Sequence, residues 1–282
     1  MTQHFGVCEW SFPVSGPLAI QLAAAAGYEG MQVGEAGGRR MGFPLNDPRV
    51  CAAYRESAEA CHVRLHSLNL GALLAEGTMN YAAETQEGAW ARESLEHGFA
   101  ACRTLGVEDV VITVDAPDAE AEANAVEHLR YARQLAADSG VVIAMESALP
   151  LPDIQRILDK AGPEVMVCMD LLNPLRFGTG DPQEQIQAFG RERIRHFHWK
   201  DSRKDLFRKG ERGCTPLGQG DAGLETSAAL IRQLGFRDTW MISENYYYLE
   251  PLCLQGGDLA ERAARDLSAM QAFFPDPRRP EA

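Results

Sequence analysis

The sequence predicts an α/β chain folded as a single closed (β/α)8 barrel, and three observations carry that expectation. Short strand-like apolar runs alternate with helical patterns eight times, and sustained βα alternation means a parallel sheet. Eight such units in 282 residues match the count and length of a barrel, whereas a doubly wound sheet usually has fewer strands. No linker or low-complexity stretch breaks the series, so residues 1–274 read as one domain. The end of the chain, 275–282, carries Pro275, Pro277 and Pro280 and is expected to be a disordered tail.

Taken in order, the first run is Phe5-Gly6-Val7-Cys8, followed by a loop holding Glu9, Trp10 and Phe12. Later strand-like runs are Tyr28–Val33, Val63–Leu68, Asp109–Val114, Val141–Glu146, Val165–Asp170, Arg195–Lys200 and Thr239–Ser243. Pro17–Ala26 has helical spacing. Further helical patterns lie at about 48–61, 82–105, 118–138, 151–161, 182–192, 224–234 and 258–273, read from period and caps. Gly27, Gly106, Gly140, Gly162 and Gly235 punctuate helix ends, where the left-handed conformation favours glycine. The connection from Asp201 to Leu224 is long for a βα loop, and loops of that length tend to be functional or disordered.

Composition narrows the functional classes. A chain 45% hydrophobic and 24% charged suits a soluble protein with a large core. A net charge of −13 repels polyanions and argues against nucleic acid and anionic membranes as partners. There is no apolar run of spanning length and no signal-peptide pattern after Met1. Seven cysteines without a CxxC pair fit reduced thiols and a cytoplasmic location.

Chemistry gathers at the C-terminal ends of barrel strands, and four successive runs end on candidate ligands: Glu146, Asp170, His198 and Glu244. One such acid alone would as readily cap the next helix; four on neighbouring strands point to a shared site. Three carboxylates and an imidazole converging on one point repel unless a cation joins them. The donor set suits an octahedral divalent ion, Mn²⁺ foremost, with Mg²⁺, Co²⁺ or Zn²⁺ as alternatives. In the run Arg195–Lys200, alternate side chains share a face. His196, His198 and Lys200 thus point one way, and Phe197 and Trp199 the other.

Taken together, Glu146, the Asp170-Leu171-Leu172-Asn173 turn, His198-Trp199-Lys200-Asp201, Pro216-Leu217-Gly218-Gln219-Gly220-Asp221 and Glu244-Asn245 resemble the sugar phosphate isomerase/epimerase group of xylose isomerase-like TIM barrels, the AP endonuclease family 2 superfamily. The resemblance runs over nearly the whole chain. It implies that Glu146, Asp170, His198 and Glu244 bind one divalent metal, and that Glu146 and Glu244 also serve as acid and base. The implied reaction is isomerisation or epimerisation of a ketose, keto-sugar or sugar derivative, by proton removal alpha to a carbonyl through a metal-stabilised enediolate. Three departures bear on the substrate and the reaction. Asn173 stands where many members have His, Lys200-Asp201-Ser202-Arg203 looks like the form in inosose dehydratase-like members, and the second strand ends Gln32-Val33-Gly34 where an acid is common.

The expected substrate-binding residues are His66, Asn173, Lys200, Arg203 and Trp10. His196 reads as a core histidine satisfied by a carbonyl, and Gly218–Asp221 as a turn and helix cap that places the long loop over the pocket. A metal-dependent dehydratase or lyase acting on a keto-inositol or keto-glycoside would use the same site. An apurinic-site endonuclease is disfavoured by Asn173 and the acidic charge, and a non-catalytic sugar-binding subunit by the complete ligand set. The expected partner is a small carbohydrate, with a homo-oligomer as the assembly.

Overall fold

The computed structural model describes residues 3–207 and 213–275. Its strands are β1 (His4–Cys8), β2 (Gly30–Gly34), β3 (Arg64–Asn69), β4 (Asp109–Thr113), β5 (Val142–Glu146), β6 (Val165–Asp170), β7 (Ile194–Trp199) and β8 (Trp240–Ser243). All pairs are parallel, and the sheet closes in sequence order, with His4 of β1 opposite Trp240 of β8. The helices are α1 (Pro17–Ala26), α2 (Pro48–Cys61), α3 (Gly71–Glu76), α4 (Gln86–Leu105), α5 (Ala119–Ser139), α6 (Leu151–Ala161), α7 (Asn173–Phe177), α8 (Pro182–Arg193), α9 (Lys204–Phe207), α10 (Leu224–Gln233) and α11 (Leu259–Phe273). The (β/α)8 architecture is therefore as predicted, and element ends agree closely with the sequence pattern. The short helices α3, α7 and α9 are additions that periodicity could not reveal, because each spans two turns or fewer. The expected tail lies, from Asp276 onward, outside the described residues. No helix among the described residues is long and apolar enough to cross a membrane.

The main core fills the layer between strands and helices, where Ile20, Leu95, Phe99, Leu129 and Ile157 are fully buried. Inside the barrel the apolar filling is thinner: Cys8, Trp240 and Ile242 on one side, Val111, Ala144 and Cys168 on the other. Gly30 makes room for the Trp240 indole; a Cβ at Gly30 would fall 2.3 Å from that ring.

The rest of the barrel interior is polar. Asp109, fully buried at the start of β4, accepts from Arg195 Nε at 2.9 Å on each oxygen. His66 Nε2 and His196 Nδ1 lie 3.2 and 3.6 Å from Asp109 Oδ2, out of hydrogen-bond alignment, so these contacts are electrostatic. Burial pushes the Asp109 carboxyl up, but His196, His66 and Arg195 outweigh it and hold the group well below the usual carboxylate range. Burial likewise drives His196 down to about 3, so its imidazole is neutral.

This layer corrects two expectations. His66 does not line the pocket at the strand ends; it sits deeper, beside Asp109 and edge-on to His196, with ring centroids 5.1 Å apart. The register shift between β2 and β3 at Met31/Gln32 accompanies this, and His66 and Ser67 hydrogen-bond each other at 2.9 Å. His196 finds no carbonyl: neither ring nitrogen has a hydrogen-bond partner among the described residues.

The long connection after β7 is organised by one carboxylate. Asp201 accepts from the backbone N–H groups of Ser202, Gly218, Gly220 and Ala222 at 2.9–3.1 Å. Gly220 must be glycine, since a Cβ there would stand 2.2 Å from Asp201 Oδ1. The expected helix cap is different in detail: α10 begins at Gly223 without a side-chain cap, and Asp221 instead accepts from Lys204 N at 2.8 Å.

Asp109→Asn should lower stability by about 3 kcal/mol, the lower end for removing one partner of a buried ion pair, read as a reduced urea midpoint at unchanged slope. Because the Asp109 carboxyl is depressed in the folded state, its stabilisation is present above the unfolded carboxylate pKa and fades as pH falls toward the folded one. The deficit of the variant should therefore shrink on acidification.

Candidate active site

Glu146, Asp170 and His198 stand at or next to the ends of β5, β6 and β7, and Glu244 follows β8 directly. One ligand atom from each lies within 4.8 Å of all the others, and all four residues are buried. The parallel register does this: Asp170 pairs with His198, and Glu146 pairs with Thr113 of β4. Side chains at one level of a barrel then converge on its axis.

The His198 ring is oriented from below. Its Nε2 lies 2.6 Å from Gln32 Oε1, and an amide oxygen only accepts, so Nε2 carries a proton. Nδ1 is left facing the acids, 3.1 Å from Glu244 Oε2 and 3.6 Å from Glu146 Oε1, with no aligned hydrogen bond. A buried imidazole nitrogen aimed at three carboxylates, its tautomer fixed by an outer acceptor, is the donor arrangement of a metal-binding histidine. The residues present fit a divalent cation.

The acids are held individually. Asp170 Oδ1 accepts from the backbone N–H of Leu172 and Asn173 at 2.8 and 2.6 Å, and Oδ2 lies 2.8 Å from Lys200 Nζ. Glu244 Oε1 accepts from Trp10 Nε1 at 3.1 Å, and Oε2 from Lys200 Nζ at 2.8 Å. Glu146 is held more loosely, by Asn173 Nδ2 at 3.3 Å and Thr113 Oγ1 at 3.5 Å. Lys200 thus bridges two acids on different strands. Burial disfavours its charge, but Asp170 and Glu244 outweigh that and keep it ionised. Burial also pushes Glu244 up, yet Lys200 and His198 hold it well below its ordinary value; Asp170, at the same distance from Lys200, is raised by burial. Glu244 therefore keeps the negative charge more firmly.

Trp10 reaches the site because Glu9 braces the turn after β1. The Glu9 carboxylate accepts from Gly16 N, Gly34 N and Tyr54 Oη at 2.6–2.8 Å. The indole stands edge-on to His198, ring centroids 6.4 Å apart.

Of the residues expected to bind substrate, Trp10, Asn173 and Lys200 are brought to the four-residue cluster. Arg203 is not: it is 62% exposed and pairs with Asp205 at 3.0 Å, turned outward by the first turn of α9. Trp199 is fully buried against Phe273 and Phe274, on the opposite strand face from His198. Gln32 and Asp109 are the polar residues to which the sequence assigned no role. Gln32 carried a signal, a lone amide in an apolar strand, but its partner is 166 residues away.

Replacing Gln32 by Leu should weaken binding of Mn²⁺ or Co²⁺ by about 10–100-fold, the usual effect of losing the outer partner of a ligand histidine. Competition with a chromophoric chelator measures this, and an unchanged affinity would mean that Gln32 does not set the tautomer.

Comparison with known proteins agrees with this geometry. Residues 20–271 match the family model described as xylose isomerase-like TIM barrel. The chain is 27% identical over 256 residues to 2-epi-5-epi-valiolone 7-phosphate 2-epimerase of Actinoplanes sp., covering 88% of each protein. Among solved structures, it is similar to an IolI protein with a bound zinc atom, TM-score 0.73 at 17% identity, covering 97% of this chain and 100% of that one. It is also similar to D-allulose 3-epimerase from Methylomonas sp., TM-score 0.71 at 18% identity, covering 96% and 97%. The match over 20–271 takes in all but the first strand and the last few residues of the barrel, and the chain belongs to the xylose isomerase-like TIM barrel family.

Proposed function

We propose that the protein is a divalent-metal-dependent epimerase or isomerase of a keto-sugar or keto-cyclitol, acting by proton transfer at the carbon alpha to a carbonyl. The observation that carries this is the cluster of Glu146, Asp170, His198 and Glu244 within 4.8 Å, with His198 Nδ1 lacking an aligned partner. The 27% identical relative, named 2-epi-5-epi-valiolone 7-phosphate 2-epimerase, supports an enzyme of the sugar isomerase/epimerase type.

Asp170, His198 Nδ1 and one oxygen each of Glu146 and Glu244 would hold the ion. A divalent cation supplies a Lewis acid beside the substrate carbonyl, which stabilises the charge that develops on its oxygen as the alpha proton leaves. The remaining work falls to the side chains. Glu244, held ionised by Lys200 and His198, takes the alpha proton, and Glu146 returns one from the other face, so the net change is inversion at that carbon. Trp10 and Lys200 fix both oxygens of Glu244, which aims the base and limits its rotation. Asn173 steadies Glu146 and does not titrate near neutrality, so it serves orientation rather than proton transfer.

A dehydratase or lyase outcome shares the proton-abstraction step. The observation that favours it is Lys200, a buried ammonium that touches Glu244 and can steady negative charge on a departing oxygen.

The test is to incubate the Mn²⁺-loaded protein with ketoses, inososes, keto-glycosides and cyclitol ketones in deuterated water. Deuterium should enter at the alpha carbon with inversion, disappear on chelation and return when metal is added back. Glu244→Gln should fold normally and lose exchange by at least ~10²-fold, the lower bound of a general-base contribution. Exchange that ignores chelators, or persists in Glu244→Gln, would sink the reading; a new enone absorbance would move the protein to the dehydratases.

A further inference from the structure

The cations at the mouth of the barrel are not equally provided for. Lys200 has Asp170 and Glu244. Arg176, on α7, has no hydrogen bond or ion pair from its side chain to any described residue, and its Nε and Nη2 are both buried without a partner. Arg92 and Arg133 also have a buried, unpartnered Nε, but each places another guanidinium nitrogen on an acceptor: Glu127 for Arg92, the Ala161 carbonyl for Arg133. Among the described residues, Arg176 differs in having none.

Its position ties it to the site. Asn173, at the start of α7, donates to Glu146 at 3.3 Å. Residues three apart on a helix share a face, and three residues correspond to about 4.5 Å of axial rise. Arg176 therefore lies one turn along α7 from Asn173, on the same face of the helix that carries Asn173 to Glu146. The charges of Arg176, Lys200 and Glu244 all bear on the buried thiol of Cys214. Arg176 as a whole is only half-buried, so it belongs to the rim and not to the sealed core.

A guanidinium with two nitrogens withdrawn from water and no acceptor among the described residues is unfavourable, and its planar fork matches an oxyanion that can accept two N–H groups at once. The nearby acids do not supply this; they face inward to His198 and Lys200. We propose that Arg176 anchors an anionic group of the substrate, a phosphate or carboxylate at the end remote from the reacting carbon. The enzyme then acts on an acidic keto-sugar or keto-cyclitol, not on a neutral one. This rests on reading the strand-end cluster as the reacting end of the site.

The experiment is calorimetric titration of the Mn²⁺-loaded protein with myo-inositol, myo-inositol 1-phosphate and glucuronate, none of which requires turnover. The wild type should bind an anionic probe at least tenfold more tightly than the neutral polyol. Preference for the phosphate or for glucuronate identifies which oxyanion the site takes. Arg176→Met should abolish that preference while Mn²⁺ affinity stays unchanged, and Arg176→Lys should retain part of it. Equal affinity for all three probes in the wild type, or a preference that survives in Arg176→Met, would overturn the assignment. If Arg176→Met does not fold, loss of the preference in Arg176→Gln serves the same end. An Arg176-dependent preference in a protein that shows no alpha-proton exchange would leave the anion anchor standing and remove the epimerase reading.

Discussion

Three carboxylates crowded within 4.8 Å at the ends of neighbouring strands are the constraint around which this barrel is arranged. Like charges so close in a buried setting repel strongly, and each needs a donor or a cation to stay ionised. The chain provides these from several directions: an ammonium from two residues beyond His198, an indole from the turn after β1, two backbone amides after β6, an amide side chain on α7. These devices come from the β1, β6 and β7 units, so the site exists only when the barrel closes. The stability of the fold and the preparation of the site are therefore one event.

The polar column inside the barrel extends the same logic downward. Arg195, Asp109, His66 and His196 form one layer, and Gln32 and His198 with the three strand-end acids the next. The lower layer is close to charge-balanced, with Asp109 opposite Arg195 and neutral imidazoles. The upper layer is rich in acid and opens toward the strand ends. Burial of unpaired charge is tolerated only where a ligand can compensate it, which separates the structural layer from the chemical one.

Much of this was legible in the sequence. The eight-fold alternation and the four strand-end residues could be read directly, because period and strand position are local properties. What local reading missed was pairing at a distance. Gln32 and His198 are far apart in sequence, and only barrel closure makes them neighbours. His66 was misplaced because the irregular register between β2 and β3 changes the level at which a side chain sits, and no residue type announces such a shift. Arg203 was misplaced because α9, too short to leave a period, carries it outward. Arg176 is not legible in sequence, since an arginine in a short loop helix looks like any solvated surface charge until its neighbours are known.

The clasp around Asp201 has a consequence for how such a protein can change. Ser202 Oγ donates to the Gly213 carbonyl at 2.6 Å, and Thr215 N donates to the Asp201 carbonyl at 3.0 Å. Together with the four amides on Asp201, these bonds pin both roots of the excursion between residues 203 and 213 next to Lys200. The excursion is thereby decoupled mechanically from the strand that feeds it. Its length can drift at a cost of only about 0.6 kcal/mol per doubling, the loop-closure entropy, while Lys200 and His198 stay in place. Fixed roots let the sequence between them vary while His198 and Lys200 keep their places, with Gly220 and Asp201 as the joint that must be kept.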